Sequence, residues 1–287
     1  MAKKQQHEDP QQQQLAVLEP TTIQLVDSPY DPEDAGAGME GTDSSSFAIP
    51  FLIVLQKGSP QVDEASGVAM PGAKAGMFLS SVTGRLYDGA TTGLQLVPAA
   101  YQRRFIRWGA RGTDAAGFKG ELTREQVDEM RAKGQVKELD NRLYIPAADG
   151  TVNEKKSDRV ADVRSHFCVL VHEDGTYEST LLALGSTQIK KSRTLMSALA
   201  AINVRAPDGK AFTPATYNTM VRLTTIPEQN DKGTWYGVKF DIIGPVTDPM
   251  VKAAAKQLWK SVKTGTAEAR YADMNETQTE AAASPGF

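Results

Sequence analysis

Arginine and aromatic side chains are concentrated in one short stretch of the chain, residues 101–111. It contains four arginines and three aromatic residues, namely Tyr101, Arg103, Arg104, Phe105, Arg107, Trp108 and Arg111. Aromatic rings stack on unpaired nucleobases, and guanidinium groups bind the phosphates between them. The stretch therefore predicts contacts with single-stranded nucleic acid, in which Tyr101 and Phe105 stack on bases and the four arginines bind phosphates.

The spacing in this stretch is typical of a β-strand, whose alternate side chains point to opposite faces. Residues 101, 103, 105 and 107 then share one face, while residues 102, 104, 106 and 108 share the other. Ile106 and Trp108 make the second face the more apolar of the two. We therefore expect the face that carries Tyr101 and Phe105 to be exposed to the ligand.

A second group of cations lies at the start of a helix that the apolar periodicity predicts over residues 187–203, with Ser186 as its cap. Lys190, Lys191 and Arg193 all fall in its first turns. Cations oppose the helix dipole at that end, so their position favours a bound anion there. The alternative is an ordinary solvated helix face.

A basic and aromatic hairpin is predicted near the end of the folded region, with strands Tyr217–Ile226 and Thr234–Ile243. By the alternation of strand side chains, Trp235 shares a face with Lys239, while Tyr236 points the other way towards the core. We expect Trp235 to stack on a base and Lys239 to bind a phosphate.

Catalytic chemistry has little support in the sequence. The chain lacks the short motifs of nucleophilic hydrolases, of phosphate-binding P-loops and of dinucleotide-binding folds. His166, Cys168 and His172 form the one metal-like set, but three residues on one strand fall short of the four ligands of a structural zinc site. We expect a half-buried strand face, no metal, no cofactor and no enzymatic activity. The alternative is an enzyme whose site comes from residues far apart in sequence.

The charge of the chain is distributed unevenly. The net charge is −3, but residues 1–46 carry −7 and residues 264–287 carry −3, which leaves +7 on residues 47–263. A basic core between acidic arms is typical of proteins that bind nucleic acids electrostatically. The alternative is that the acidic arms only keep the protein soluble.

Composition and hydrophobic patterning divide the chain into four segments. These are a disordered acidic arm over residues 1–46, a folded domain over 47–245, a C-terminal helix over 246–263 and a flexible acidic tail over 264–287. Within the domain, a capping-box pattern at Thr123 and Gln126 predicts a surface helix over residues 123–133, inserted between strands.

Strands outnumber helices in this pattern and arrive mostly as hairpins. We therefore predict a mainly β, α+β fold, an antiparallel OB-like β-barrel with a central helix and a C-terminal helix. There is no apolar run of about 18 residues, and the N-terminus does not resemble a secretory signal. With Cys168 as its one cysteine, the chain suits a reducing cytoplasm.

Five segments of the chain resemble a group of tailed-bacteriophage proteins, some of which are suspected to bind single-stranded DNA. They are Ile49–Gln56, Gly58–Pro60, Gly76–Thr83, Leu86–Gly89 and Tyr101–Trp108. The resemblance covers roughly residues 48–120 and is weaker through 245. It implies a place in phage DNA replication or recombination, in the cytoplasm of an infected bacterial host.

The C-terminal end also resembles a known arrangement. Residues 280–287 end in Phe287 after sparse acids, which is similar to the tips of single-stranded-DNA-binding proteins that recruit partner enzymes. The resemblance implies that Phe287 binds phage replication or recombination proteins.

We therefore predict a protein that binds single-stranded DNA without strong sequence preference and is compatible with a homo-oligomer. The alternative is a phage structural or assembly protein whose basic–aromatic strand is an interface with another protein.

Overall fold

Antiparallel β-strands make up most of the regular secondary structure in the described part of the chain. The computed structural model describes residues 32–34, 37–42, 48–110, 113–231 and 233–274. The chain divides into two units, residues 1–43 and 44–287. In the first unit, the described residues form a 3₁₀ turn over Pro32–Asp34 and an exposed stretch over 37–42. The rest of the predicted arm, together with Arg111 and Phe287, lies outside the described residues, and all that follows concerns the second unit.

The described part of this unit contains thirteen strands. They are β1 Leu52–Val54, β2 Phe78–Ser80, β3 Leu86–Tyr87, β4 Leu94–Gly109, β5 Gly117–Leu122, β6 Lys137–Leu139, β7 Arg142–Ile145, β8 Asp158–Val171, β9 Tyr177–Gly185, β10 Val204–Arg205, β11 Ala211–Phe212, β12 Thr219–Asn230 and β13 Gly233–Pro245.

Three α-helices complete this part of the chain, α1 Arg124–Ala132, α2 Ile189–Ala200 and α3 Pro249–Thr264. Short 3₁₀ turns at Ser186–Gln188, Thr216–Asn218 and Tyr271–Asp273 connect or follow them. None of the described helices has the length and hydrophobicity that a bilayer-spanning segment requires.

The long strands β4 and β8 form the centre of an eight-stranded antiparallel sheet. Its main order is β13-β12-β4-β8-β7-β6, with β5 paired to β4 and β9 paired to β8. The central pair runs from Gln95 opposite Val171 to Trp108 opposite Arg159. Its register shifts between Pro98 and Ala100, because proline has no N–H to donate and sits most readily at a bulge. Pro98 therefore lies at a bulge within one continuous strand.

The sheet curls into a half-barrel, so the prediction of a mainly β, OB-like α+β fold is confirmed. A small sheet, β1-β2-β3, continues from β9 through a parallel bridge between Phe51 and Leu181. On its far side, the amide of Gln56 bonds to the backbone of Tyr236 in β13. A side chain thus links β13 to the segment after β1 where backbone pairing stops.

The two faces of the sheet bury separate hydrophobic clusters, as alternation along the strands requires. Leu96 of β4 packs on one face with Leu195 and Leu199 of α2. Its neighbour Val97 packs on the other face with residues of α3, including Leu258. Each helix buries an apolar stripe against the sheet, and this burial holds α2 on one face and α3 on the other.

The helix ends are determined by local hydrogen bonds. At α1, Thr123 accepts a bond from the N–H of Gln126, whose side chain accepts one from the N–H of Thr123, as the capping-box pattern predicts. At α2, the predicted cap is wrong. Ser186 starts a 3₁₀ turn, Ser186–Gln188, in a left-handed conformation with φ 47°, and Gln188 takes the N-cap position of α2.

The chain after α3 returns to the core. Tyr271 is fully buried, Met274 is nearly so, and the hydroxyl of Tyr271 lies 2.5 Å from the hydroxyl oxygen of Ser165. The sequence assigned residues 264–287 to a flexible tail, but residues 271–274 are packed against the sheet. Their apolar side chains were not recognised because acids and small residues surround them.

Candidate nucleic-acid interface

The basic–aromatic stretch lies in the second half of β4, and its two faces differ as predicted. Ile106 and Trp108 are fully buried, whereas Tyr101 on the opposite face is 37% exposed. One residue of the face that was expected to meet the ligand is not exposed. Phe105 is 4% exposed because Val127 of α1 packs in the cluster that covers it. The prediction that Phe105 stacks on a base is therefore wrong.

The arginines of β4 are paired with acids that the sequence analysis did not anticipate. Arg103 donates two hydrogen bonds to Asp162, at 3.0 and 2.7 Å, and Arg107 bonds to Asp158 at 2.7 Å. Both aspartates belong to β8, the neighbouring strand, so no local spacing relates them to the arginines. The side chains of Arg103 and Arg107 remain partly exposed, but the neighbouring aspartate partly neutralises the charge of each guanidinium group.

Arg104 points to the other face, where it lies 3.7 Å from Glu121 of β5. Burial raises the pKa of Glu121, and Arg104 offsets this in part. Because the two faces are opposite, Arg104 cannot contact the same stretch of a ligand as Arg103.

Tyr101 is held by groups of β8 that were also missed. The guanidinium of Arg164 donates to the Tyr101 hydroxyl at 3.0 Å and also contacts Asp162 at 3.0 Å. The ring of His166 packs against Tyr101 at a centroid distance of 5.2 Å. The phenol is thus fixed with one part of its ring open to solvent, which suits a stacking platform.

The three metal-like residues, two in β8 and His172 directly after it, do not converge. His166 is buried and its Nε2 lies 2.7 Å from the Ser192 hydroxyl of α2, while His172 lies beside Glu178. Burial, with a smaller effect of the Arg164 charge, lowers the pKa of His166 to about 4. Burial raises the pKa of the Cys168 thiol to about 12. A neutral imidazole and a protonated thiol are core groups in this setting.

A groove between α2 and the β12–β13 hairpin brings together four residues that the sequence predicted separately. Its volume is about 730 Å³. Lys190 and Lys191 come from α2, and Trp235 and Lys239 come from β13. We call it the α2–β13 groove. Arg193 is exposed on α2 but does not line it.

Charges in the α2–β13 groove are partly balanced. Glu228 of β12 lies 2.6 Å from Lys191 and accepts a 3.0 Å bond from the indole N–H of Trp235. Lys239 contacts Asp241 at 2.9 Å. Lys190 is exposed and has no ion-pair partner in the described part of the chain.

Glycine at position 237 permits this arrangement. A Cβ atom there would collide with the side chains of Glu228 and Gln188, which approach the backbone of β13. Sequence reasoning missed Glu228, Phe240 and Ile242 as groove residues, because an acid and two apolar strand residues carry no nucleic-acid signal.

The fold and these surfaces define a mainly β protein with an aromatic and basic groove between α2 and β13. Residues 21–268 match the family model of Pam3 phage gp34-like proteins. The match covers most of the chain, so the protein belongs to this family and is a phage protein. No curated protein and no solved structure matches the chain.

Proposed function

We propose that this phage protein binds single-stranded DNA, without strong sequence preference, in DNA replication or recombination in the host cytoplasm. The observation that carries the proposal is the α2–β13 groove, where Lys190 and Lys191 of α2 and Trp235 and Lys239 of β13 line one surface although the two elements lie far apart in sequence. A ring flanked by cations suits a strand whose bases are unpaired and whose phosphates are regularly spaced. The role is binding rather than catalysis, and it needs no cofactor.

Each groove residue has a part in this proposal. The three lysines would neutralise phosphates, and Trp235 would stack on a base while Glu228 holds its N–H. Such a stack contributes about 1–3 kcal/mol. Tyr101, Arg103 and Arg107 would form a second contact, in which Asp162 and Asp158 compete for the two arginines as Glu228 and Asp241 compete for Lys191 and Lys239 in the groove. In this proposal Arg104, Arg111 and Arg193 would bind phosphates outside the groove, and Phe287 would bind partner proteins.

The experiment is a titration of labelled oligo(dT) at several salt concentrations, read by fluorescence anisotropy. The double variant Lys190→Ala/Lys239→Ala should bind more weakly and lower the slope of log K against log salt by about one to two, since each lost phosphate contact removes about one. Trp235→Ala should weaken binding about tenfold with little change in slope.

The matched control is Lys256→Ala/Lys260→Ala. Both lysines are exposed on α3, on the opposite face of the sheet. This double variant removes the same charge, so an equal loss of slope would show that net charge and not the groove governs binding. Salt-insensitive binding, or equal affinity for duplex, would contradict the proposal.

A second candidate function is phage assembly, in which the exposed face of β4 contacts another protein. The observation that favours it is the pairing of Arg103 and Arg107 with aspartates, because paired charges suit a protein interface better than a polyanion. Absence of oligo(dT) binding, together with capture of a purified phage protein that Tyr101→Glu abolishes, would favour this candidate.

A further inference from the structure

Strand β13 is the edge of the eight-stranded sheet. Among the described strands it pairs only with β12. An edge strand presents a row of N–H and C=O groups that a further strand can pair with. In an antiparallel ladder these outward groups belong to every second residue.

Two glutamine side chains occupy part of this edge and identify which residues point outward. The amide of Gln56 donates to the carbonyl of Tyr236 at 2.9 Å and accepts from its N–H at 2.7 Å. The amide oxygen of Gln188 accepts from the N–H of Val238 at 3.0 Å. The backbone N–H and C=O groups of the even-numbered residues of β13 therefore point away from β12.

The next two outward positions are Phe240 and Ile242. They lie opposite Leu223 and Val221, in the same register as Val238 opposite Thr225. The pairing stays regular up to a shift between Met220 and Val221. Within the described part of the chain, no hydrogen bond reaches the outward N–H and C=O groups of these two residues.

This unpaired edge forms one wall of the α2–β13 groove. The groove has an apolar side, where Phe240 and Ile242 face Leu195 and Ala198 of α2, and Ile242 is 41% exposed. Lys239 lies on the other face of β13, and Lys190 lies at the start of α2. A strand laid along the edge would thus meet apolar and cationic surroundings in alternation.

We propose that this edge binds an extended acidic peptide of a partner protein as an additional β-strand, with apolar side chains towards Leu195 on the α2 face and acidic side chains on the opposite face towards Lys239, while Lys190 at the start of α2 adds to the positive charge of the groove. The row of unpaired donors and acceptors matches a peptide backbone, and addition of a peptide strand to an exposed sheet edge is a recurrent mode of peptide recognition. Charge complementarity selects acidic residues, because three lysines and one glutamate line the groove. The inference goes beyond DNA binding and makes peptide and DNA competitors.

The first test uses a fluorescein-labelled octapeptide of alternating Asp and Val, titrated by anisotropy. Two further peptides carry N-methyl groups on alternate residues, one in each phase. Only one phase of N–H groups can face β13, so methylation of that phase should weaken binding about tenfold or more, and methylation of the other should not. Absence of binding, or equal binding of both methylated peptides, overturns the proposal.

The second test changes the edge. Ile242→Pro removes an outward N–H without removing a bond to β12, and edge positions tolerate proline. Peptide affinity should fall about tenfold, while the control Ile242→Val, which keeps the N–H, should bind normally. The dichroism spectrum shows whether the proline variant folds, and the methylated peptides test the same bond in the unmodified protein.

The third test separates the peptide from DNA. Lys190→Glu should weaken binding of the acidic peptide, and Lys256→Glu should leave its affinity unchanged. If peptide and DNA both occupy the groove, oligo(dT) should displace the bound peptide. Phase-dependent peptide binding without DNA binding would leave the peptide proposal intact and reject the DNA proposal. DNA binding without phase-dependent peptide binding would do the reverse.

Discussion

At the scale of single residues, strand alternation predicted the direction of the β4 side chains but not their surroundings. Tyr101 and Phe105 point to the same face, yet one is 37% exposed and the other 4%. The difference arises from α1, an element inserted after β4 and β5 that covers only one of the two rings. Exposure therefore depends on a neighbour that the spacing along β4 does not encode.

Phe105 and Tyr101 should consequently respond differently to truncation. Phe105→Ala should lower the free energy of unfolding by about 3–5 kcal/mol, because it leaves a cavity among Val127, Val136 and Leu143. Tyr101→Ala should cost far less stability but weaken oligo(dT) binding. Urea denaturation and anisotropy measure the two effects. A larger stability loss for Tyr101→Ala would contradict the assignment of the two rings.

His166 should make stability depend on pH. Its folded pKa of about 4 lies below the ordinary value of 6.5, so between these values the unfolded chain binds a proton that the folded chain does not. Stability is therefore fully present above pH 6.5 and falls as the pH drops towards 4, by about 3 kcal/mol. Urea unfolding from pH 7.5 to 4.5 should show a shallower decline for His166→Gln than for the unmodified protein. An identical decline would show that carboxylates alone govern it.

At the scale of elements, the principal hairpins and two of the helices could be recognised from sequence. The β12–β13 hairpin follows the predicted strands, α1 begins at the predicted cap Thr123, and α3 lies where the C-terminal helix was predicted. The start of α2 was missed because Gln188, at its N-cap, makes no side-chain capping bond. Gln188 instead reaches across to β13, a contact between distant segments.

Gln188 should therefore stabilise the edge of the sheet. Gln188→Leu leaves the buried N–H of Val238 without its acceptor, which should lower the free energy of unfolding by about 1–3 kcal/mol. The control Gln95→Leu changes an exposed glutamine of β4 and should stay within about 0.5 kcal/mol. Chemical denaturation compares the two. Equal losses of stability in the two variants would mean that the hydrogen bond from Val238 to Gln188 does not stabilise the fold.

At the scale of the whole molecule, the uneven charge remains the broadest property relevant to DNA. The segment 47–263 carries +7 and the chain as a whole −3. Long-range fields act on association rates more than on the contacts formed afterwards. The acidic ends should therefore slow the approach of DNA to the groove.

Neutralising the N-terminal acids tests this effect. Replacing the nine acids of residues 1–46 with Asn or Gln adds nine to a net charge of −3 and gives +6. Association with oligo(dT) should become about tenfold faster at low salt, with the difference lost at high salt. Stopped-flow fluorescence measures the rate. Exchanging the glutamines of the same segment for asparagine keeps the charge and should leave the rate unchanged.

The sequence by itself determined the fold class, the strand faces and the residue types of the candidate site. These follow from local propensity and from the two-residue period of strands, which adjacent residues encode. Only the tertiary structure decided that Asp158 and Asp162 neutralise the β4 arginines, that α1 covers Phe105, and that α2 and β13 enclose Lys190 and Trp235 in one groove. Each of these depends on strand register and helix docking between distant segments, and that geometry is set by the packing of the whole core.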